Sequence, residues 1–176
     1  LQEPDTWSFI KYDELNRPVI TGITRNSPRD ASAMKAAAYA LALNETRDKD
    51  HETGYTNNSY PNTGDIEIHT VTYYDNYDFL SITGSGLSDS LRAETYDSGM
   101  FVHGSNIDAE PAGQVTGTVT MVLSDPGDRD AVPRKKLYSV NYYDKYGHLL
   151  RTISDNHLKG KDVTSNLYED MTYQLL

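Results

Sequence analysis

Several groups of residues in this sequence carry side chains capable of chemistry. Asp48, Asp50 and Glu52 alternate in a polar stretch, as the oxygen ligands of a calcium loop do. An EF-hand loop needs Gly at its sixth position and Glu at its twelfth. Counted from Asp48, those places hold Thr53 and Ser59, so the spacing predicts a solvated charged loop instead. Asp125, Asp128 and Asp130, interrupted by Arg129, read as a surface turn for the same reason. His51, His69, His103, His148 and His157 show no H-x-x-x-H or H-E-x-x-H spacing. The absence of Cys removes disulfides, thiolate metal sites and cysteine nucleophiles together. Ser85-Gly86 and Ser105 lie outside any G-x-S-x-G elbow. The run Gly84 to Gly86 lacks the rest of a dinucleotide fingerprint. The reading is therefore no catalytic residue, no metal ligand and no cofactor. A hydrolase would require the fold to bring a His beside two carboxylates.

The tyrosines are the one remaining feature with a binding chemistry. There are 14 of them against 3 Phe and 1 Trp. Tyr suits a strand that is wet on one face, because the ring packs while the hydroxyl reaches solvent or backbone. Tyr73, Tyr74, Tyr142 and Tyr143 are the candidate ligand-binding residues, stacking sugar rings while nearby Asn and Asp supply hydrogen bonds. The same rings would serve equally as cross-strand ladders that hold hairpins in register.

These side chains sit in a chain of 176 residues, which suits one β-rich domain spanning 1–176. A formal charge of −10 excludes nucleic acid and disfavours an anionic membrane surface. No run of about 18 apolar residues occurs, so membrane insertion is not expected. The opening LQEPDTWSF lacks Met, a basic patch and an apolar stretch. It is therefore expected to begin a processed protein or an excised segment.

The elements that position these groups announce themselves by repetition. FIKYDELNRPVITG, VTYYDNYDFLSITG and VNYYDKYGHLLRTISD align on Tyr12-Asp13, Tyr74-Asp75 and Tyr143-Asp144. Four positions after each Tyr stand Asn16, Asp78 and Gly147, the residue types that enter the left-handed region at least cost. Each Asp (Asp13, Asp75, Asp144) can fold its carboxylate onto backbone N–H groups, an Asx turn. Three hairpins are predicted, each strand, tight loop, strand. Tyr138, Val140 and Tyr142 alternate with polar residues, as do Ile66 and Ile68, and as do Val119, Met121 and Leu123. Partial echoes at Tyr96-Asp97 and Tyr168-Glu169 are spaced on the scale of one hairpin per repeat.

One helix is expected near residues 28–45, in SPRDASAMKAAAYALALNE, packed on the sheet. Ser27 would cap it, Pro28 would start it, and Met34, Ala38 and Leu41 form its stripe. Residues 46–65 read as a long polar loop.

The repeated sentences resemble the YD repeats of RHS-type proteins, whose core is Tyr-Asp, a short Gly turn, Arg and an apolar strand. LYSVNYYDKYGHLLRTISDNHLKGKDVTSNLYED and WSFIKYDELNRPVITG are particularly similar to the large RHS-repeat proteins of Bacteroides-like bacteria. Only Tyr143-Asp144 with Gly147 keeps the full pattern; Asn16-Arg17 and Asp78-Phe79 depart from it. The resemblance implies a segment of a secreted or cell-surface giant whose hairpins wind into a β shell, partnered by the remainder of its own larger chain. It implies no catalytic residue here. The fold expected is mainly β, an antiparallel twisted sheet of hairpins with one packed helix. The function expected is structural, with a carbohydrate- or protein-binding module, glycan or cell-surface partner included, as the alternative.

Overall fold

The computed structural model describes residues 6–25, 30–82, 107–122, 135–156 and 158–166. It is mainly β. Seven strands form one antiparallel sheet: β1 (Thr6–Tyr12), β2 (Pro18–Arg25), β3 (Asp65–Tyr74), β4 (Val115–Met121), β5 (Lys136–Tyr143), β6 (Leu149–Asp155) and β7 (Lys161–Ser165). Their order in the sheet is their order in the chain. No helix among the described residues is long and apolar enough to cross a membrane. No linker interrupts the sequence, yet the chain gathers into two compact units, Leu1–Thr72 with Thr120–Lys136 and Tyr73–Val119 with Leu137–Leu176.

In the first unit, β1 and β2 form the hairpin expected at Tyr12-Asp13. Asp13 N donates to Arg17 O at 3.0 Å and Asn16 N to Asp13 O at 2.9 Å. The Asp13 carboxylate accepts from Leu15 N and Arg17 N at 3.0 and 2.8 Å, and Arg17 Nε donates to its other oxygen at 2.7 Å. Asn16 takes a left-handed φ of 59°. This is a three-residue loop closed by a left-handed residue.

The second unit repeats it bond for bond. Asp144 N donates to His148 O and Gly147 N to Asp144 O, both at 3.0 Å. Tyr146 N and His148 N donate to Asp144 Oδ1 at 2.8 and 2.9 Å, and His148 Nδ1 lies 2.9 Å from Oδ2, where Arg17 sits in the first copy. Gly147 has φ 84°. Both hairpins also carry one extra residue on the outgoing strand. Lys11 pairs with Ile20 and Tyr12 with Pro18, which passes over Val19; Tyr142 pairs with Arg151 and Tyr143 with Leu149, which passes over Leu150. The bulge turns Val19 and Leu150 inward, 1% and 6% exposed.

A further copy of the loop joins β6 to β7 without any Tyr-Asp. Asn156 N donates to Gly160 O at 2.9 Å, and Asn156 Oδ1 accepts from Leu158 N and Gly160 N at 3.0 and 2.8 Å. Its left-handed residue is Lys159, φ 66°. A side chain with a Cβ pays roughly 1 kcal/mol or more there. Lys159→Gly should therefore stabilise the protein by about 0.5–1 kcal/mol in urea denaturation, after the flexibility of Gly in the unfolded chain is counted.

The repeat at Tyr74-Asp75 corrects the sequence reading. The left-handed residue is Asp75 itself (φ 69°), and Asp78 begins a 3-10 helix, Asp78–Ser81. No tight hairpin forms. Asp75 N instead donates to Gln114 O at 3.1 Å and Asp75 Oδ1 accepts from Gly113 N at 2.7 Å, so β3 is closed onto the start of β4 across a long insertion. The cause is the content of the turn. Tyr77, Phe79 and Leu80 are 6%, 1% and 2% exposed, and burying them outweighs a two-bond loop. Phe79 stacks on Tyr73 with centroids 4.4 Å apart and planes 6° from parallel.

The helix is also shorter than expected. It runs Ala31–Tyr39, with Asp30 as its cap accepting from Ser32 N at 2.9 Å. None of its residues is buried, and Met34, Ala37 and Ala38 are half-covered. Ser27, Pro28, Gly84 to Gly86, Tyr96-Asp97, His103, Ser105, Leu123, Asp125, Asp128, Asp130, His157 and Tyr168 lie outside the described residues.

Candidate functional site

The first unit buries an ion pair that strand periodicity gives no reason to expect. Lys11 on β1 is 3% exposed and Glu45 is 0% exposed, with Nζ 2.9 Å from Oε1. Glu45 is brought there by its own backbone: after α1 the chain turns, and Glu45 N donates to Tyr12 O at 2.8 Å. A parallel bridge between Asp13 and Glu45 fixes the approach.

The segment after Glu45 wraps back over its carboxylate. Oε1 accepts from Ser59 N at 3.0 Å and Ser59 Oγ at 2.6 Å, besides Lys11. Oε2 accepts from Thr56 Oγ1 at 2.6 Å and Asn58 N at 2.9 Å. Lys11 Nζ in turn donates to Asn57 Oδ1 at 2.6 Å and Ser59 O at 3.0 Å, so three oxygens meet its three protons. A buried charge survives only when paired and hydrogen-bonded, and this pair is both. Tyr55, 2% exposed, anchors the same segment by donating to Thr72 O at 2.8 Å, and the Arg47 guanidinium lies 4.5 Å from its ring centroid. The long polar loop is thus a packed one.

Burial would push the Glu45 carboxyl up; the bonds from Ser59, Thr56, Asn58 and Lys11 outweigh it and hold the group at about 2. Burial likewise draws the Lys11 ammonium below its ordinary value, partly offset by Glu45. The Glu45 contribution to stability is therefore fully present above the ordinary carboxyl value of 4.5 and is lost as pH falls towards 2. The Lys11 effect belongs to the alkaline range. The stability gap between wild type and Glu45→Gln should shrink by about 3 kcal/mol between pH 5 and pH 2 in urea titrations. A constant gap would mean that the carboxylate gains nothing from its donors.

The residues singled out from the sequence lie elsewhere. Tyr73, Tyr74, Tyr142 and Tyr143 all belong to the second unit and are 1%, 8%, 2% and 9% exposed. They form no accessible sugar-stacking face. Tyr142 stacks on Tyr77 with centroids 5.1 Å apart, Tyr143 Oη donates to Val115 O at 3.0 Å, and Tyr143 N donates to Tyr77 Oη at 3.3 Å. Desolvation raises the Tyr77, Tyr138 and Tyr143 hydroxyls, as core phenols require. Asp13, Asn16, Asp144 and Gly147 hold the turn positions assigned to them; Asp75 closes an insertion, and Asp78 does not.

Asp48 Oδ1 accepts from Asp50 N at 3.0 Å, an Asx turn of the solvated kind expected. His51 lies on Thr53 at 2.9 Å, His69 is 3.7 Å from Glu67, and His148 sits on Asp144. Among the described residues, no three His, Asp or Glu side chains converge as metal ligands would.

Lys11 and Glu45 were missed in the sequence for a definable reason. Glu45 reads as the polar tail of a helix. Lys11 does leave a signal in the repeat alignment: its position holds Tyr73 and Tyr142 in the other copies. A lysine where two aligned copies carry a core Tyr marks a charge facing inward. No family model, no curated protein and no solved structure matches this chain.

Proposed function

We propose that the chain is a non-catalytic structural segment of a larger YD/RHS-type repeat protein, a strip of a secreted or cell-surface β shell. The observation that carries this reading is the three-residue loop built with the same bonds after Asp13, Asp144 and Asn156. Strand order supports it, since each strand follows its predecessor in space as in sequence. A unit that can be added indefinitely is a building unit. Tyr73, Tyr74, Tyr142 and Tyr143 support it too, as their rings serve the core. The alternative of a carbohydrate-binding module rested on exposed rings, and the four named for it are buried.

The partner in this reading is the remainder of the same larger chain. All five residues of β7 are exposed, and β7 stands last in the strand order, the place where a sheet of repeated hairpins adds its next strand. Hydrogen exchange of this chain, compared with the same chain carrying its native C-terminal continuation, tests the idea. The outward-facing amides of β7 should exchange at least about tenfold more slowly in the longer protein. Unchanged exchange there would defeat the shell reading.

A further inference from the structure

Within the buried cluster, an amine, a carboxamide and a carboxylate meet in one place. Lys11 Nζ lies 2.6 Å from Asn57 Oδ1 and 2.9 Å from Glu45 Oε1. The C=O bond is about 1.23 Å long, so Asn57 Cγ is no more than about 3.8 Å from Nζ. We propose that Lys11 and Asn57 form an intramolecular amide crosslink, with Glu45 as the general base. The ion pair described above is the state before this reaction.

The chemistry closes without any co-reactant. Lys11 gives up one ammonium proton to solvent and becomes a nucleophilic amine, as desolvated lysines do more readily. The Nζ lone pair attacks Asn57 Cγ and the carbonyl electrons move onto Oδ1. Glu45 takes the proton now in excess on Nζ and later returns it to solvent, while Asn57 Nδ2, facing water, takes up a proton from solvent. The tetrahedral centre collapses, the Cγ–Nδ2 bond breaks, and ammonia leaves. The product is an Nζ–Cγ amide that retains Oδ1.

Geometry favours each participant. Lys11 and Glu45 are fixed by burial and by four further hydrogen bonds to the carboxylate, so the reacting groups are held together rather than meeting by diffusion. Asn57 itself is exposed, and its Nδ2 points outward to donate to Asn62 O at 3.0 Å. The leaving nitrogen therefore faces water while the carbonyl faces the amine. The crosslink would tie β1 to the loop that wraps it, a staple beyond the scaffold role.

Intact-mass spectrometry of the full chain, incubated at mildly alkaline pH, decides the matter. The expected mass is about 17 Da below that of the sequence, one ammonia, with a fragment joining the Lys11 and Asn57 peptides. Asn57→Ala changes an exposed residue, should fold, and should keep its full mass. Glu45→Gln should crosslink at least about tenfold more slowly. A folded wild-type chain that holds its full mass after prolonged incubation overturns the proposal and leaves an ordinary buried ion pair. Mass loss that persists in Asn57→Ala overturns the acceptor assignment, and undiminished crosslinking in Glu45→Gln overturns the general base.

Discussion

Glu45→Ala is expected to cost about 3–5 kcal/mol, a large part of the stability of a domain this size. In the chain before any crosslinking, the substitution strands the Lys11 ammonium, 3% exposed, without its counter-ion. It also removes the acceptor shared by Ser59 N, Ser59 Oγ, Thr56 Oγ1 and Asn58 N. Two of those donors are backbone groups that cannot be substituted away. The consequence is asymmetric: replacing both charges, Lys11→Met with Glu45→Leu, should recover only part of the loss, because the backbone donors still lack a partner. Denaturation followed by fluorescence of Trp7, the sole tryptophan and a β1 residue, reports the unit concerned. A cost below about 1 kcal/mol would mean that water replaces the carboxylate at no penalty.

Gly117→Ala should destabilise the second unit by about 3 kcal/mol. A Cβ at residue 117 would overlap the Phe79 ring. That ring is 1% exposed and stacked on Tyr73, which is also 1% exposed, so it has nowhere to go. Close-packed interiors transmit such an overlap instead of absorbing it. The double variant Gly117→Ala with Phe79→Leu should be more stable than the sum of its single changes by about 1 kcal/mol or more, because the smaller side chain vacates the space. Strict additivity would show that the Phe79 ring is not the obstacle.

How far these features could be read from the sequence differed with the range of the interactions behind them. The loops at Asp13 and Asp144 were legible because every bond in them joins residues at most four apart. The same loop at Asn156 uses the same local bonds, but no Tyr-Asp marks it and Lys159 stands at the left-handed position. The sentence at Tyr74-Asp75 spells the same turn without building it. Its local spelling matched, but Tyr77, Phe79 and Leu80 found a core to fill, and burial of three large side chains is worth more than one turn.

The helix shows the same competition at its C-terminal end. Residues 40–45 have helical propensity, worth tenths of a kcal/mol each. Continuing the helix would leave the Lys11 charge without its partner, so the chain turns at Ala40 and delivers Glu45 to β1. By itself, then, the sequence determined the mainly β class, the hairpin turns and the alternation of most strands, since these follow from backbone preferences and period-two burial. Only the tertiary structure decided that four tyrosines are core, that one repeat opens into an insertion, and that Lys11, Glu45 and Asn57 meet. The Lys11 cluster joins residues 34 and 46 positions apart and the tyrosine core joins residues 66 apart, and no local pattern records which contacts win.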